Sequence, residues 1–188
     1  MHLYEIAKFF HFLGLVALAG FFIIYSRAGP QLRKAKDMKE VQTWLGVLQS
    51  TRPMMPAGAI LLLLSGLTMG ALRWKGPYPF MVVGLLTLLV IWIGTAIADG
   101  RHLRAMRAAA SGQTGAVPPE LSRLILNPTP WATLFALNLA TFGVLFVMTT
   151  KIGWIGAISV VAALAIIGAI IGSRLVRGDR DHAPSGVP

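Results

Sequence analysis

The chain contains no cysteine. That removes disulfides, thiolate metal sites, iron–sulfur clusters and cysteine nucleophiles in one step. Charge is scarce as well. Only 13% of the 188 residues are Asp, Glu, Lys or Arg, against about 25% in an ordinary soluble domain. No Walker loop, Rossmann fingerprint or HExxH motif occurs, and no Ser-His-Asp arrangement can be assembled from the few carboxylates. Soluble-type nucleotide and protease chemistry therefore has no support.

Apolar sequence fills the space. Hydrophobic residues make up 55% of the chain, and the mean hydropathy is +0.69. A helix rising ~1.5 Å per residue needs about 20 apolar residues to cross a hydrocarbon core ~30 Å thick. Stretches at about 3–27, 54–73, 79–100, 130–150 and 153–174 meet this requirement. A membrane-spanning strand alternates apolar and polar residues, and the runs at 60–64 and 85–92 do not. The expected fold is all-α: a polytopic bundle of five transmembrane helices within one domain, residues 1–175, followed by a cytoplasmic tail over 176–188.

A formal net charge of +10 is compatible with a nucleic-acid partner, but its distribution argues otherwise. Arg27, Arg33, Lys34, Lys36, Lys39 and Arg52 lie between spans one and two. Arg101, Arg104, Arg107 and Arg123 lie between spans three and four, and Arg174, Arg177 and Arg180 follow span five. Together these are 13 of the 17 basic residues, all on one side of a five-span protein. This is the positive-inside pattern: the amino terminus faces out and the carboxy terminus faces the cytoplasm. The basic loops then report topology and contact with anionic lipids at the cytoplasmic face, not nucleic-acid binding. The first helix lacks the basic leader and small-residue cleavage site of a signal peptide, so it is expected to stay as an anchor.

Between the spans the sequence is organised. Pro30 is expected to follow the first helix. Residues 37–50 read as an amphipathic helix with Met38, Val41, Trp44, Leu45 and Leu48 on one face, lying at the membrane interface or packing under the bundle. Pro53 and Pro56 reset the chain before span two. Residues 74–79 form a tight outer turn with aromatic anchors, and Trp131 and Trp154 mark span ends. Span three is expected to continue as helix through Arg107. A loop over 111–130 holds a short helical piece at 119–126, and the last six residues or so form a disordered Pro/Gly tail. Small residues at helical spacing, Gly14, Ala17 and Gly20, Gly66 and Gly70, and Gly168 and Gly172, are candidate helix contacts.

The chemistry concentrates in the first span, where Lys8 and His11 stand three residues apart in an apolar run. An ionisable group at membrane depth costs roughly 2.5–3.5 kcal/mol on insertion scales unless something compensates. Tyr4, Lys8 and His11 could form a polar strip facing the bundle interior, with Glu5 pairing Lys8 near the interface. The alternative is that Lys8 snorkels outward and His11 is a hydrogen-bonded packing residue. Met69, Met81 and Met148 fall at the depth of His11 in spans two, three and four. Neutral imidazole and thioether suit haem iron or Cu(I), although methionine also fills gaps in apolar cores. Asp99, Arg101 and His102 read as an ion pair or interface anchor, and Asn138 as a helix–helix hydrogen bond.

The pattern Tyr4-x3-Lys8-x2-His11, with Gly14, Gly20 and Arg27, resembles the first helix of a bacterial superfamily of small membrane proteins. Its members include the copper-resistance-D-like proteins, the HemJ-type protoporphyrinogen oxidases and an uncharacterised integral-membrane family. Pro56, Gly66, Met69 and Trp74, with Met148 and Lys151 closing span four, resemble that last branch most. The resemblance covers about residues 3–151. It implies a four-helix core with one added helix, a bacterial inner-membrane location, and haem or a metal at His11. Lys8 is a secondary candidate, and the fifth span and methionine-bearing later helices set the chain apart from the HemJ pattern.

The expected function is thus a redox protein binding b-type haem, or copper, at His11. Lys8, Met69 and Met148 are further candidates around a cofactor, and Met81 a further metal ligand. The alternative is a non-catalytic subunit of a membrane complex or a homo-oligomer, with Gly168, Gly172 and the 37–50 helix as contact surfaces.

Overall fold

The computed structural model describes residues 2–74 and 77–181. It consists of seven helices: α1 (His2–Lys34), α2 (Met38–Thr51), α3 (Met54–Arg73), α4 (Pro79–Ala110), α5 (Pro119–Ile125), α6 (Pro128–Thr150) and α7 (Trp154–Asp181). Among the described residues there is no strand, only an isolated bridge between Asp37 and Ala116. Five helices, α1, α3, α4, α6 and α7, are long and apolar enough to cross a membrane. The all-α bundle of five spans expected from hydropathy is the observed architecture.

Two elements overrun their expected ends, for the same reason. Helix α1 continues through Pro30 to Lys34. A proline inside a helix removes one backbone hydrogen bond and crowds the preceding turn. Here burial outweighs that cost: Ala28 and Leu32 are almost fully enclosed, and Gly29 lies directly under the Trp131 ring. Helix α7 likewise passes residue 175 because Val176 is sealed into the core. The first residues of the expected tail are therefore helical; His182 and the Pro/Gly segment lie outside the described residues, as do Lys75 and Gly76 of the turn before α4.

The bundle is assembled from close helix pairs. Helices α6 and α7 have the most extensive contact, followed by α1 with α3 and α4 with α6, whereas α3 and α4 touch only lightly. Glycines set the two closest crossings. A Cβ built on Gly58 would meet the Gly14 carbonyl at 3.0 Å, and one on Gly172 would meet Ala132 Cα at 2.8 Å. A Cβ on Gly168 would strike the Phe135 carbonyl. Backbones approach this closely only where side chains are missing.

At the end carrying the basic loops, the short helices close the bundle. Asp37 caps α2 by accepting from Glu40 N–H, and Met38 N–H donates to Gly115 O at 2.9 Å, which ties the long loop to the start of α2. The apolar face of α2, Met38, Val41, Leu45 and Leu48, is buried against Leu32 of α1, Leu103 and Met106 of α4, and Leu121 and Ile125 of α5. Of the two placements expected for this helix, packing under the bundle is the one observed. Trp131, expected to mark a span end, lies in the first turn of α6 and is buried: its indole N–H donates to Ile125 O at 2.9 Å. The Arg33 guanidinium lies 5.3 Å from its ring centroid, and His102 meets it edge to face at 6.3 Å.

Candidate cofactor cavity

At the opposite end no short helix fills the gap between the α1/α3 pair and the α4/α6 pair, and a cavity of about 470 Å³ lies there. Its size falls within the roughly 300–1,000 Å³ usual for small-molecule and cofactor sites. The walls are mainly leucine, valine, phenylalanine and methionine, with Tyr4, His11, Trp74, Thr141 and Thr149 as the polar exceptions. Thr141 spends its hydroxyl proton on the Leu137 carbonyl of its own helix, at 2.9 Å.

The sequence candidates separate cleanly. His11, Met69, Met81 and Met148 all line this cavity, brought there by α1, α3, α4 and α6. Lys8 does not. It turns outward and pairs with Glu5 at 3.1 Å, with both side chains about half exposed or more. The sequence left two arrangements open for α1, one continuous polar strip or an outward-pointing lysine; Tyr4 and His11 face the cavity and Lys8 faces away. Asn138 is half-buried on α6 and lines no part of the cavity.

Glycines make room for the candidate donors. Gly66 faces the His11 ring, and a Cβ there would touch His11 Cε1 at 3.5 Å. Gly70 underlies Met81, whose Cε would be 2.6 Å from an added Cβ, and Gly84 underlies the terminal methyl of Met148. Gly66 and Gly70, expected at a helix–helix contact, instead serve as notches for side chains. The Gly14 crossing partner, Gly58, and the notch at Gly84 carried no signal in the sequence.

Ser65 is the polar partner that sequence reasoning missed. It is 5% exposed on α3, and its Oγ lies 3.1 Å from His11 Nδ1. The hydroxyl also donates to the Leu61 carbonyl one turn back, the usual solution for serine in an apolar helix. A single serine beside a glycine in the run at 60–67 was a weak sign at best, because nothing in the sequence brings it to a histidine 54 positions away. With the serine proton committed to a carbonyl, the pair is not a nucleophile with its base.

Trp74 and Phe80 of the lining belong to a cluster of aromatic rings. Trp74 stacks edge to face with Tyr78 at 5.1 Å and with Phe80 at 5.2 Å, and the Lys151 ammonium lies 4.8 Å from the Trp74 centroid. Lys151 takes a left-handed conformation, φ 52°, to end α6, which turns the chain into α7. Among the described residues no three His, Cys, Asp or Glu side chains gather as a hard metal site. Comparison with family models, curated proteins and solved structures gave no match.

Proposed function

We propose that this chain is an integral membrane redox protein that would hold b-type haem in the cavity through His11 and a thioether from Met69, Met81 or Met148. One observation carries the reading: a histidine and three methionines from four separate helices converge on one apolar cavity. The donor set fits the group, since imidazole and thioether are a familiar axial pair for haem iron. Apolar walls suit a macrocycle that must be kept from water. When bound, haem supplies one-electron chemistry; the residues of the chain bind it, orient it and exclude solvent.

In the same reading the basic end of the bundle faces the cytoplasm of a bacterial cell and meets anionic lipid headgroups, so the cavity opens toward the outer leaflet. Lys8, outside the cavity, has no part in the site. Copper(I) is the second reading, favoured by the three soft thioethers beside one imidazole. Gly168, Gly172 and the apolar face of α2, named as contact surfaces for a non-catalytic subunit, make contacts within the chain.

An absorption spectrum of the purified protein, oxidised and reduced, tests this. The expected result is a Soret band that sharpens on reduction and is lost in His11→Ala. A colourless protein that also fails to take up added haemin, but binds Cu(I) in a His11-dependent way, selects copper. Binding of neither overturns both.

A further inference from the structure

The haem reading needs His11 to offer a lone pair, and an imidazole has two nitrogens on which its proton can sit. The surroundings of Ser65, together with the Leu62 backbone that also bonds the His11 ring, decide between them. Its hydroxyl has one proton and three neighbours: the Leu61 carbonyl, the Leu62 carbonyl at 3.4 Å and His11 Nδ1 at 3.1 Å. The two carbonyls can only accept. If the proton pointed at His11, serine lone pairs would face carbonyl lone pairs in a buried site with nothing between them, which low polarity makes expensive. If the proton points to the carbonyls, the oxygen has a lone pair for His11, and Nδ1 must carry the hydrogen.

We propose that Ser65 is a positioning residue that fixes His11 as the Nδ1–H tautomer and so presents its Nε2 lone pair to a ligand in the cavity. The arrangement matches the general habit of metal-bound histidines, whose second nitrogen donates to a fixed acceptor that sets both ring orientation and tautomer. It also accounts for a buried hydroxyl in an otherwise apolar stretch of α3. Gly66, the next residue, leaves the space in which the ring stands. The inference rests on the cavity reading for its purpose, but not for its test, because the tautomer exists with or without haem.

The experiment uses full-length protein in lipid nanodiscs with ring-¹⁵N histidine, at pH 8, above the ordinary imidazole pKa of about 6.5. The chain has four histidines, and the His11 resonances are those absent from His11→Ala. Expected is protonation of His11 at Nδ1 in the wild type, a move toward Nε2 protonation in Ser65→Ala, and retention of the wild-type pattern in Ser65→Thr, which keeps the hydroxyl and controls for folding. A wild-type His11 protonated at Nε2, or an identical pattern in Ser65→Ala, overturns the proposal. Haemin titration adds a second arm: Ser65→Ala should bind about tenfold to a hundredfold more weakly than wild type, and equal affinity overturns the role. If the tautomer shifts as expected while no variant binds haemin, Ser65 stands and the haem function falls.

Discussion

The two ends of this bundle solve opposite problems with the same five long helices. At the basic end, α2 and α5 are wedged under the spans, and Leu32, Met38, Leu48, Leu103, Met106 and Leu121 are each 1% exposed or less. At the other end nothing is wedged, α3 and α4 barely meet, and the gap becomes a cavity ringed by His11 and methionines. Rigid packing at one end is what allows incomplete packing at the other: the helices are held apart by contacts made elsewhere. Stability and ligand binding should therefore separate along the bundle axis, and substitutions at the two ends should fail in different ways.

The largest effect is expected at Trp131. It joins α1, α4, α5 and α6 through its ring and its hydrogen bond to Ile125. Trp131→Ala should cost about 3–5 kcal/mol, the usual range for deleting a large buried aromatic. Equilibrium unfolding in mixed micelles measures this, and a loss under 1 kcal/mol would mean that the basic end is not the stable half.

A matched pair of glycines sharpens the comparison. In Gly172→Ala the new methyl meets backbone and Cβ atoms of α6, at 2.8 Å from Ala132 Cα and 2.9 Å from Trp131 O. Backbone cannot rotate away, so the helices must part, at a cost of about 1–3 kcal/mol. In Gly84→Ala the methyl clashes with the flexible end of Met148, which can swing into the cavity, and otherwise meets Val144 Cγ1 at an ordinary 3.6 Å. Stability should fall by less than about 1 kcal/mol, well below the usual cost of overpacking a tight core, while any haem spectrum shifts as the thioether moves. Equal destabilisation by the two substitutions would break the distinction.

A pH effect of intermediate size is expected at His102, on the part of α4 that continues past the apolar run into Arg101, Arg104 and Arg107. Burial pushes its pKa down to about 4, and its Nε2 has no hydrogen-bond partner among the described residues. The folded protein therefore holds the neutral ring, whereas the unfolded chain protonates near 6.5. This contribution is fully present above pH 6.5 and is lost as the pH falls from there toward 4. The thermal midpoint should drop across that window in the wild type and drop less in His102→Phe. Identical pH profiles would show that the ring is not buried as described.

The architecture was legible in the sequence because hydropathy and charge are summed over many residues. Five spans survive any single misjudged position, and the long helical run beyond span three was visible in the same way. The exceptions were all tertiary. Pro30 sits inside a helix because Ala28, Gly29 and Leu32 are packed against other elements, which no local rule contains. The depth of His11, Met69, Met81 and Met148 could be read by counting residues along each span, and depth was enough to place them in one layer. Rotation about each helix axis was not readable to the same degree, so Ser65 and the Gly84 notch were invisible, and Gly66 and Gly70 were assigned to helix contacts when they face side chains.

Lys8 shows how fine that distinction is, and it carries the smallest expected effect. It lies three residues from His11 on the same helix, and the sequence left open whether the two shared one polar strip or the lysine pointed outward. A spacing of three turns a side chain by about 300° at 3.6 residues per turn, which leaves the two about 60° apart. That angle is enough to put His11 against Ser65 and Lys8 against Glu5 on the exterior. The Lys8–Glu5 pair is exposed, and such pairs contribute about 0–1 kcal/mol. Lys8→Gln should leave stability within about 0.5 kcal/mol of wild type, as for most surface changes, and should leave haem or copper uptake unchanged. A loss of uptake in Lys8→Gln comparable to that in His11→Ala would mean that the lysine reaches the ligand after all, and that the boundary of the site runs around α1 rather than along one face of it.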